Sequence, residues 1–277
     1  MEAYDKAAQA SAFAVIHEFS SSFGIASRLF PKPMRQHIYN IYGMVRLADE
    51  IVDSYGGNDA AKLLSDLEQE TYQAIQRGFS SNLVLHAFAE TACTYNFDTE
   101  LIRAFYVSMH IDADPTAYNP ARYAEYIYGS AEVVGLMCLK VFCDGNQSLY
   151  DELAPGARAL GSAFQKVNFL RDIHADHQQL GRYYFPAGSY EQFDDAIKQQ
   201  ILQDIRQDFG TALPAIRRLP YAARPPVMAA YRYYAKLLGK LEAAPAEVIR
   251  MQRLRIGEGS KLVILAMTII RERLGTR

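Results

Sequence analysis

The chain has 277 residues, half of them apolar, enough to bury a large core in one domain spanning residues 1–277. Acidic and basic residues nearly cancel, 31 against 29, so no positive surplus points to a nucleic-acid partner. Cys93, Cys138 and Cys143 match no zinc or redox spacing and read as buried free thiols of a reducing, cytoplasmic compartment.

The opening residues, MEAYDKAAQA, lack the apolar stretch of a signal peptide, so the sequon Asn146-Gln147-Ser148 reads as chance. The longest unbroken apolar run, Leu262 to Met267 with a resumption at Ile269 and Ile270, is far short of the roughly 20 residues that span a bilayer. A soluble or at most peripheral protein is expected.

Apolar residues recur at helical spacing along the whole chain, which predicts about ten helices and no strand, an all-α single domain. Pro31 and Pro33 open a helix that continues to Tyr55 and stops at Gly56-Gly57. Farther along, Asn58, Asp98 and Asn119 suit N-caps, Pro120 and Pro155 suit first-turn positions, and Gly78 and Gly145 suit helix ends. The clearest irregular stretch, Leu180 to Phe193, contains Gly and Pro and should lie at the mouth of whatever the preceding helix lines.

Two of the predicted helices carry paired aspartates at i,i+4 spacing, Asp49/Asp53 in LADEIVD and Asp172/Asp176 in NFLRDIHAD. At about 100° per residue, Tyr42, Arg46, Asp49 and Asp53 fall within roughly 60° of one another, and Gln165, Asn168, Asp172 and Asp176 within roughly 80°. A solvated helix face would be rich in Lys and Glu. These stripes hold Tyr, Asn and Gln instead, and the residues between them are apolar. Carboxylates on facing, otherwise greasy helices repel unless a cation sits between them. Oxygen donors without thiolate favour magnesium, with manganese as the alternative, and such an ion keeps open positions for phosphate oxygens. Arg46 and Arg171 suit those oxygens. A histidine-based site fits less well: His174 is about 200° around the helix from Asp172, and no Glu-x-x-His of a di-iron oxidase occurs.

These motifs resemble the squalene and phytoene synthases, which join two isoprenoid diphosphates head to head. IYGMVRLADEIVD is similar to the family's first aspartate-rich segment, and GSAFQKVNFLRDIHAD followed by GRYYFP to its second; the SSSF of Ser20 to Phe23 and YIYGSAEVVGLM of Tyr126 to Met137 are similar to two further blocks. Weaker matches, YRYYAKLL and RLRIGEGSK, follow toward the C-terminus.

The resemblance implies an isoprenoid-synthase-type helical bundle around a central cavity. It makes Asp49, Asp53, Asn168, Asp172 and Asp176 the magnesium-binding set. Ser20, Ser22, Tyr42, Arg46, Gln165, Arg171, Tyr234, Arg253 and Lys261 become substrate contacts, and Tyr126 or Tyr128 falls near the reacting carbons. Phe23, Tyr39, Leu136 and Met137 are candidate cavity walls; Gly24, Ala26 and Ser27 would leave room for a long chain at its floor. Two departures from the family pattern stand out, a spacing one residue longer before Arg182 and Glu132 where glycine is usual.

The activity so implied is conversion of two geranylgeranyl diphosphates to phytoene through a cyclopropyl diphosphate, for carotenoid biosynthesis, without NADPH. The alternatives are a squalene or dehydrosqualene synthase using farnesyl diphosphate and, more remotely, a non-catalytic scaffold relative. Product release suggests peripheral membrane contact, and the oligomeric state stays open.

Overall fold

The computed structural model describes residues 1–20, 22–55, 57–112 and 119–274, with the side chains of Ser22, Phe23, Glu258, Arg273 and Leu274 outside that description. The chain runs through α1 (Glu2–Phe19), α2 (Ser22–Ser27), α3 (Lys32–Asp53), α4 (Ala60–Arg77), α5 (Leu83–Thr94), α6 (Thr99–Asp112) and α7 (Pro120–Ile127). A π-turn, Tyr128–Glu132, leads into α8 (Val133–Cys143), followed by α9 (Gln147–Leu180), α10 (Asp195–Arg218), α11 (Arg224–Ala243), α12 (Ala246–Met251) and α13 (Glu258–Leu274). Among the described residues there is no strand. The elements outnumber the roughly ten expected because α2 and α12 are too short to show periodicity and the π-turn divides one apolar segment.

Local chemistry sets most of the boundaries. Asn82, Asn119, Asn146 and Asp194 each accept backbone N–H groups of the first turn of the helix that follows, and each such cap is worth about 1 kcal/mol. The sequon asparagine is thus a helix cap. Asp98 accepts the N–H of Glu100, as expected, whereas α4 starts after Asp59 rather than Asn58. Gly78 ends α4 at φ 67°, and Gly145 stands at φ 82° just beyond Asp144. The expected stop at Gly56 lies outside the described residues.

Pro155 departs from expectation: it lies inside α9 rather than at the start of a helix. A proline there removes one backbone hydrogen bond. Burial against α8 and α10 along the length of α9 outweighs the local break, and Gly156 next to it lets Ala215 of α10 approach so closely that a Cβ would meet it at 2.2 Å.

The helices converge on a core in which Leu64, Leu85, Phe88, Phe105, Met44 and Met137 have no exposed surface. A second apolar cluster joins α9, α10 and α11 with the loop after α9, through Leu170, Tyr184, Phe185, Ile205 and Leu237. The continuous helical stretch Pro120–Cys143 is long and apolar enough to cross a membrane by length and composition, but 61% of its apolar 18-residue window is buried inside the fold as a core element. At its middle, Gly129 and Gly161 allow backbones to touch: a Cβ on Gly129 would stand 2.2 Å from the Ala104 carbonyl of α6. Cys138 is half-buried and Cys143 buried, as expected, but Cys93 on α5 is exposed because it faces away from the core.

Candidate active site

Both aspartate helices bury one face and turn the other to a shared cavity. On α3, Met44 and Ala48 pack inward while Tyr42, Arg46, Asp49 and Asp53 line the cavity, with Ile38 and Ile41 as its apolar part. On α9, Val167, Leu170 and Ile173 pack inward while Gln165, Asn168, Arg171, Asp172 and Asp176 line the same space. The cavity is about 630 Å³, and Ser20, Tyr126, Tyr234, Arg253 and Lys261 complete its wall. Every site residue expected from sequence is therefore on this cavity except Ser22, whose side chain lies outside the described residues. Of the two candidate tyrosines, Tyr126 faces the cavity, whereas Tyr128 lies beneath the Arg158 guanidinium, 5.2 Å from its ring centroid.

The acidic wall is held by arginines. Arg171 Nε donates to Asp172 Oδ1 at 2.8 Å, and Arg253 Nε reaches the same oxygen at 2.6 Å. Arg46 is paired with Glu50 one turn along and lies over the Phe19 ring; its Nε is buried without a hydrogen-bond partner among the described residues. Tyr42 is bonded to Ser20, and Tyr234 donates to Asn168 Oδ1 at 3.3 Å. Burial raises the hydroxyl pKa of both tyrosines.

Two residues outside the paired motifs bind the wall together. Asp112, at the end of α6, accepts hydrogen bonds from Tyr126 at 3.2 Å and Tyr184 at 3.1 Å. Arg182, just past α9, donates from one nitrogen to Asp53 Oδ1 at 2.9 Å and to Asp112 Oδ2 at 3.1 Å. The loop after α9 thus reaches across to the first aspartate helix. Its register is fixed by Gly181 at φ 65°, which lets the Arg182 N–H bond back to the Asp176 carbonyl.

Carboxylates gathered in this way resist ionisation. Burial, followed by repulsion from Asp53, pushes Asp49 up to about 7, with Asp112 adding to the effect and Arg46 opposing it. Burial, followed by Asp172 and Asp53, pushes Asp176 up to about 7, against the pull of Arg182. Residues of both helices therefore share one field across the cavity. Among the described residues no three of these side chains form a ready-made metal cage, because arginines stand between them. Crowded hard-oxygen donors on two sides of an open space fit magnesium, which is commonly held by few carboxylates and completed by substrate phosphate and water.

A second, almost wholly apolar chamber of about 250 Å³ adjoins the first and shares Ala26, Val134, Cys138, Phe164, Gln165 and Ala230 with it. Small residues dominate its wall: Ser27, Ala131, Gly135, Gly156, Ala157 and Gly161; Phe30 and Phe142, stacked 5.3 Å apart, also line it. Ala26 and Ser27 line it as expected, whereas Gly24 does not. Leu136, Met137 and Tyr39, candidate walls on sequence grounds, line neither space. The π-turn inserts roughly one extra residue, turning the following helix by about 100° so that Val134, Cys138 and Phe142 face the chamber instead. The Phe23 side chain lies outside the described residues. Glu132 pairs with Arg158 at 2.6 Å and is not part of either wall.

The squalene/phytoene synthase family matches residues 16–259. The chain belongs to that family. It is a prenyltransferase-type enzyme of isoprenoid metabolism with isoprenyl diphosphate substrates. It is 27% identical to a 15-cis-phytoene synthase of Synechococcus elongatus, covering 98% of this chain and 93% of that protein. Identity is also 27% to phytoene synthase 1 of Zea mays, over 95% of this chain and 67% of the relative, and 24% to a 4,4'-diapophytoene synthase of Staphylococcus haemolyticus, over 70% and 67%. Among solved structures, a ligand-bound dehydrosqualene synthase shares the fold at TM-score 0.81 and 20% identity, covering 98% of each chain. A squalene synthase from Alicyclobacillus acidocaldarius does so at 0.75 and 20%, over 86% of this chain and 94% of its own.

Asp112, Arg182 and Tyr184 were not singled out from sequence as site residues. Arg182 and Tyr184 belong to GRYYFP, whose polar residues beside an aspartate-bearing helix are a usable signal. Asp112 offers only an acid at the end of an apolar helix, the position of many solvated residues.

His174 and His177 turn from the cavity as their helical phase requires. His174 lies 3.3 Å from the Tyr190 hydroxyl, and His177 stacks on the same ring at 3.8 Å.

Proposed function

We propose that this enzyme condenses two C20 isoprenoid diphosphates head to head, through a cyclopropyl diphosphate, to phytoene, in service of carotenoid biosynthesis. The observation that carries this reading is the junction of two unlike spaces: a wall of carboxylates and arginines opening directly onto an apolar chamber lined by small residues. A prenyl diphosphate has the same division, and no single feature of either space would select it.

The residues would act as follows. Asp49, Asp53, Asn168, Asp172 and Asp176 would hold magnesium, which when bound supplies positive charge to a diphosphate and to its departure as a leaving group. Arg46, Arg171, Arg253 and Lys261 bind the diphosphate oxygens, and the buried Arg46 Nε is a donor in want of such an acceptor. The apolar chamber keeps water from an allylic cation. The aromatic faces of Phe169, Tyr184 and Tyr126, stacked with ring centroids 4.0 to 5.8 Å apart, lie beside the acidic wall and suit a developing positive charge. Asp112 fixes Tyr126 through its hydroxyl.

Small residues at Ala26, Ser27, Gly135 and Gly161 favour the longer substrate, and the final cation loses a proton with no reductant required. The C15 reading keeps one observation in its favour, the likeness in fold to a dehydrosqualene synthase. The product is an oily hydrocarbon, so peripheral contact with a membrane for its release is part of the same proposal. Incubation of the purified protein with magnesium and either C15 or C20 diphosphate, with and without reduced nicotinamide, tests it by the hydrocarbon formed. Phytoene from the C20 substrate without reductant is expected. A C30 product alone would overturn the chain-length assignment, and no hydrocarbon from either would overturn the synthase reading.

A further inference from the structure

The last described helix turns a mixed polar and apolar side to the fold and an apolar side to solvent. On α13, Lys261, Ile264 and Leu265 line the large cavity and Thr268 is fully buried, while Arg224 of α11 grips Glu272 at 2.8 Å. These contacts fix the rotation of the helix. Opposite them, Leu262, Val263, Met267 and Ile270 are 59%, 60%, 44% and 50% exposed. With Ala266, also exposed, they fall within roughly 140° of one another on the helix. From Gly259 to Ile270 this outer stripe contains no charged or polar side chain. Scattered exposed apolar residues are ordinary; a continuous stripe with no polar interruption marks a contact surface.

Charge indicates what covers it. Between Arg250 and Arg277 there are seven basic and two acidic residues, a local surplus of +5 in a chain of net charge −2. Arg253 and Lys261 turn to the cavity and Arg250 lies over the Tyr190 ring, but the exposed Arg255 precedes the stripe and the exposed Arg271 follows it. Apolar side chains bracketed by arginines complement an anionic lipid surface, with the apolar stripe entering the acyl boundary and the guanidinium groups meeting the headgroups. We propose that the outer face of α13 docks this enzyme onto an anionic phospholipid bilayer. The geometry stands alone, but its purpose rests on the proposed function: the same helix walls the reaction cavity, so docking places that cavity at the membrane where an oily product must go.

The chain has no tryptophan, which makes a single introduced one a clean reporter. Met267→Trp should shift its emission to the blue on addition of vesicles of phosphatidylglycerol and phosphatidylcholine, while Phe79→Trp, in the loop before α5, should not shift. The wild-type protein should float with those vesicles at least tenfold more than with pure phosphatidylcholine, and Leu262→Glu/Ile270→Glu should lose that binding tenfold. Turnover of the double variant on detergent-dispersed substrate and its melting temperature should match wild type. Failure of the wild type to bind anionic vesicles, or equal binding by the double variant, overturns the proposal. So does a lipid-free wild-type dimer that the double variant breaks, since the face would then belong to a second copy. Vesicle binding without hydrocarbon synthesis would leave the docking surface standing and reject the synthase reading.

Discussion

The two chambers of the cavity are built on opposite physical terms. The outer one is lined by charged side chains that neutralise one another in part: Asp53 and Asp112 share Arg182, and Asp172 lies between Arg171 and Arg253. The inner one is an extension of the core, walled by residues such as Phe30, Leu139 and Ile216 that pack as any buried residue does. The difference teaches where function and stability separate. A change in the outer wall should alter chemistry with little loss of fold, because it removes repulsion as well as attraction. A change behind the inner wall should cost stability first.

The largest effect that would break this contrast is at Asp172. Asp172→Ala should reduce turnover by about a thousandfold while the protein stays folded, since it removes one oxygen donor of the proposed magnesium set. Steady-state kinetics and a melting curve on the same preparation check both halves. Full activity in a folded variant would count heavily against the metal assignment. The counterpart is Met137→Ala, fully buried beside the inner chamber but lining neither space. It should cost about 3 kcal/mol of stability, measured by denaturant unfolding, with kcat little changed in the fraction that folds.

A smaller effect sharpens the electrostatic side. Asp49 and Asp176 have folded-state pKa values raised to about 7, above those of the unfolded chain. Between pH 4 and 7 the folded state therefore binds more protons than the unfolded one, and stability falls as pH rises through that range. Metal-free protein should lose melting temperature between about pH 4 and 7. Excess magnesium should flatten the slope, and the chelated protein should recover activity when magnesium is returned; a slope unaffected by magnesium would place the ion elsewhere. The smallest effect concerns selectivity. Ala26→Phe, where the two chambers meet, should shift the ratio of C20 to C15 use by about tenfold toward the shorter chain, read by competition between the two substrates.

Much of this arrangement was legible in the linear chain because helices write their buried and functional faces in one period. Tyr42, Arg46, Asp49 and Asp53 share a stripe, as do Gln165, Asn168, Asp172 and Asp176, and each stripe reaches the cavity intact. The caps at Asp98 and Asn119 and the glycine end at Gly78 were legible for the same reason, since their chemistry is complete within a few residues. Pro155 misled because its local preference for a first turn is a weaker force than the burial of α9 along both its neighbours.

What the amino-acid sequence determined by itself is the helical character of the chain, the two acidic stripes and the family to which their motifs point. What only the tertiary structure decided is which unrelated segments meet. Asp112 and Arg182 come from different elements, and no periodicity links them until α6 and the loop after α9 converge. The helix after the π-turn likewise presents Cys138 rather than Met137 to the chamber wall, where Gly129 and Gly161 let backbones touch. Local preferences act over one or two helical turns, whereas the composition of a cavity depends on contacts between residues far apart in the chain, and those form only when the whole fold is in place.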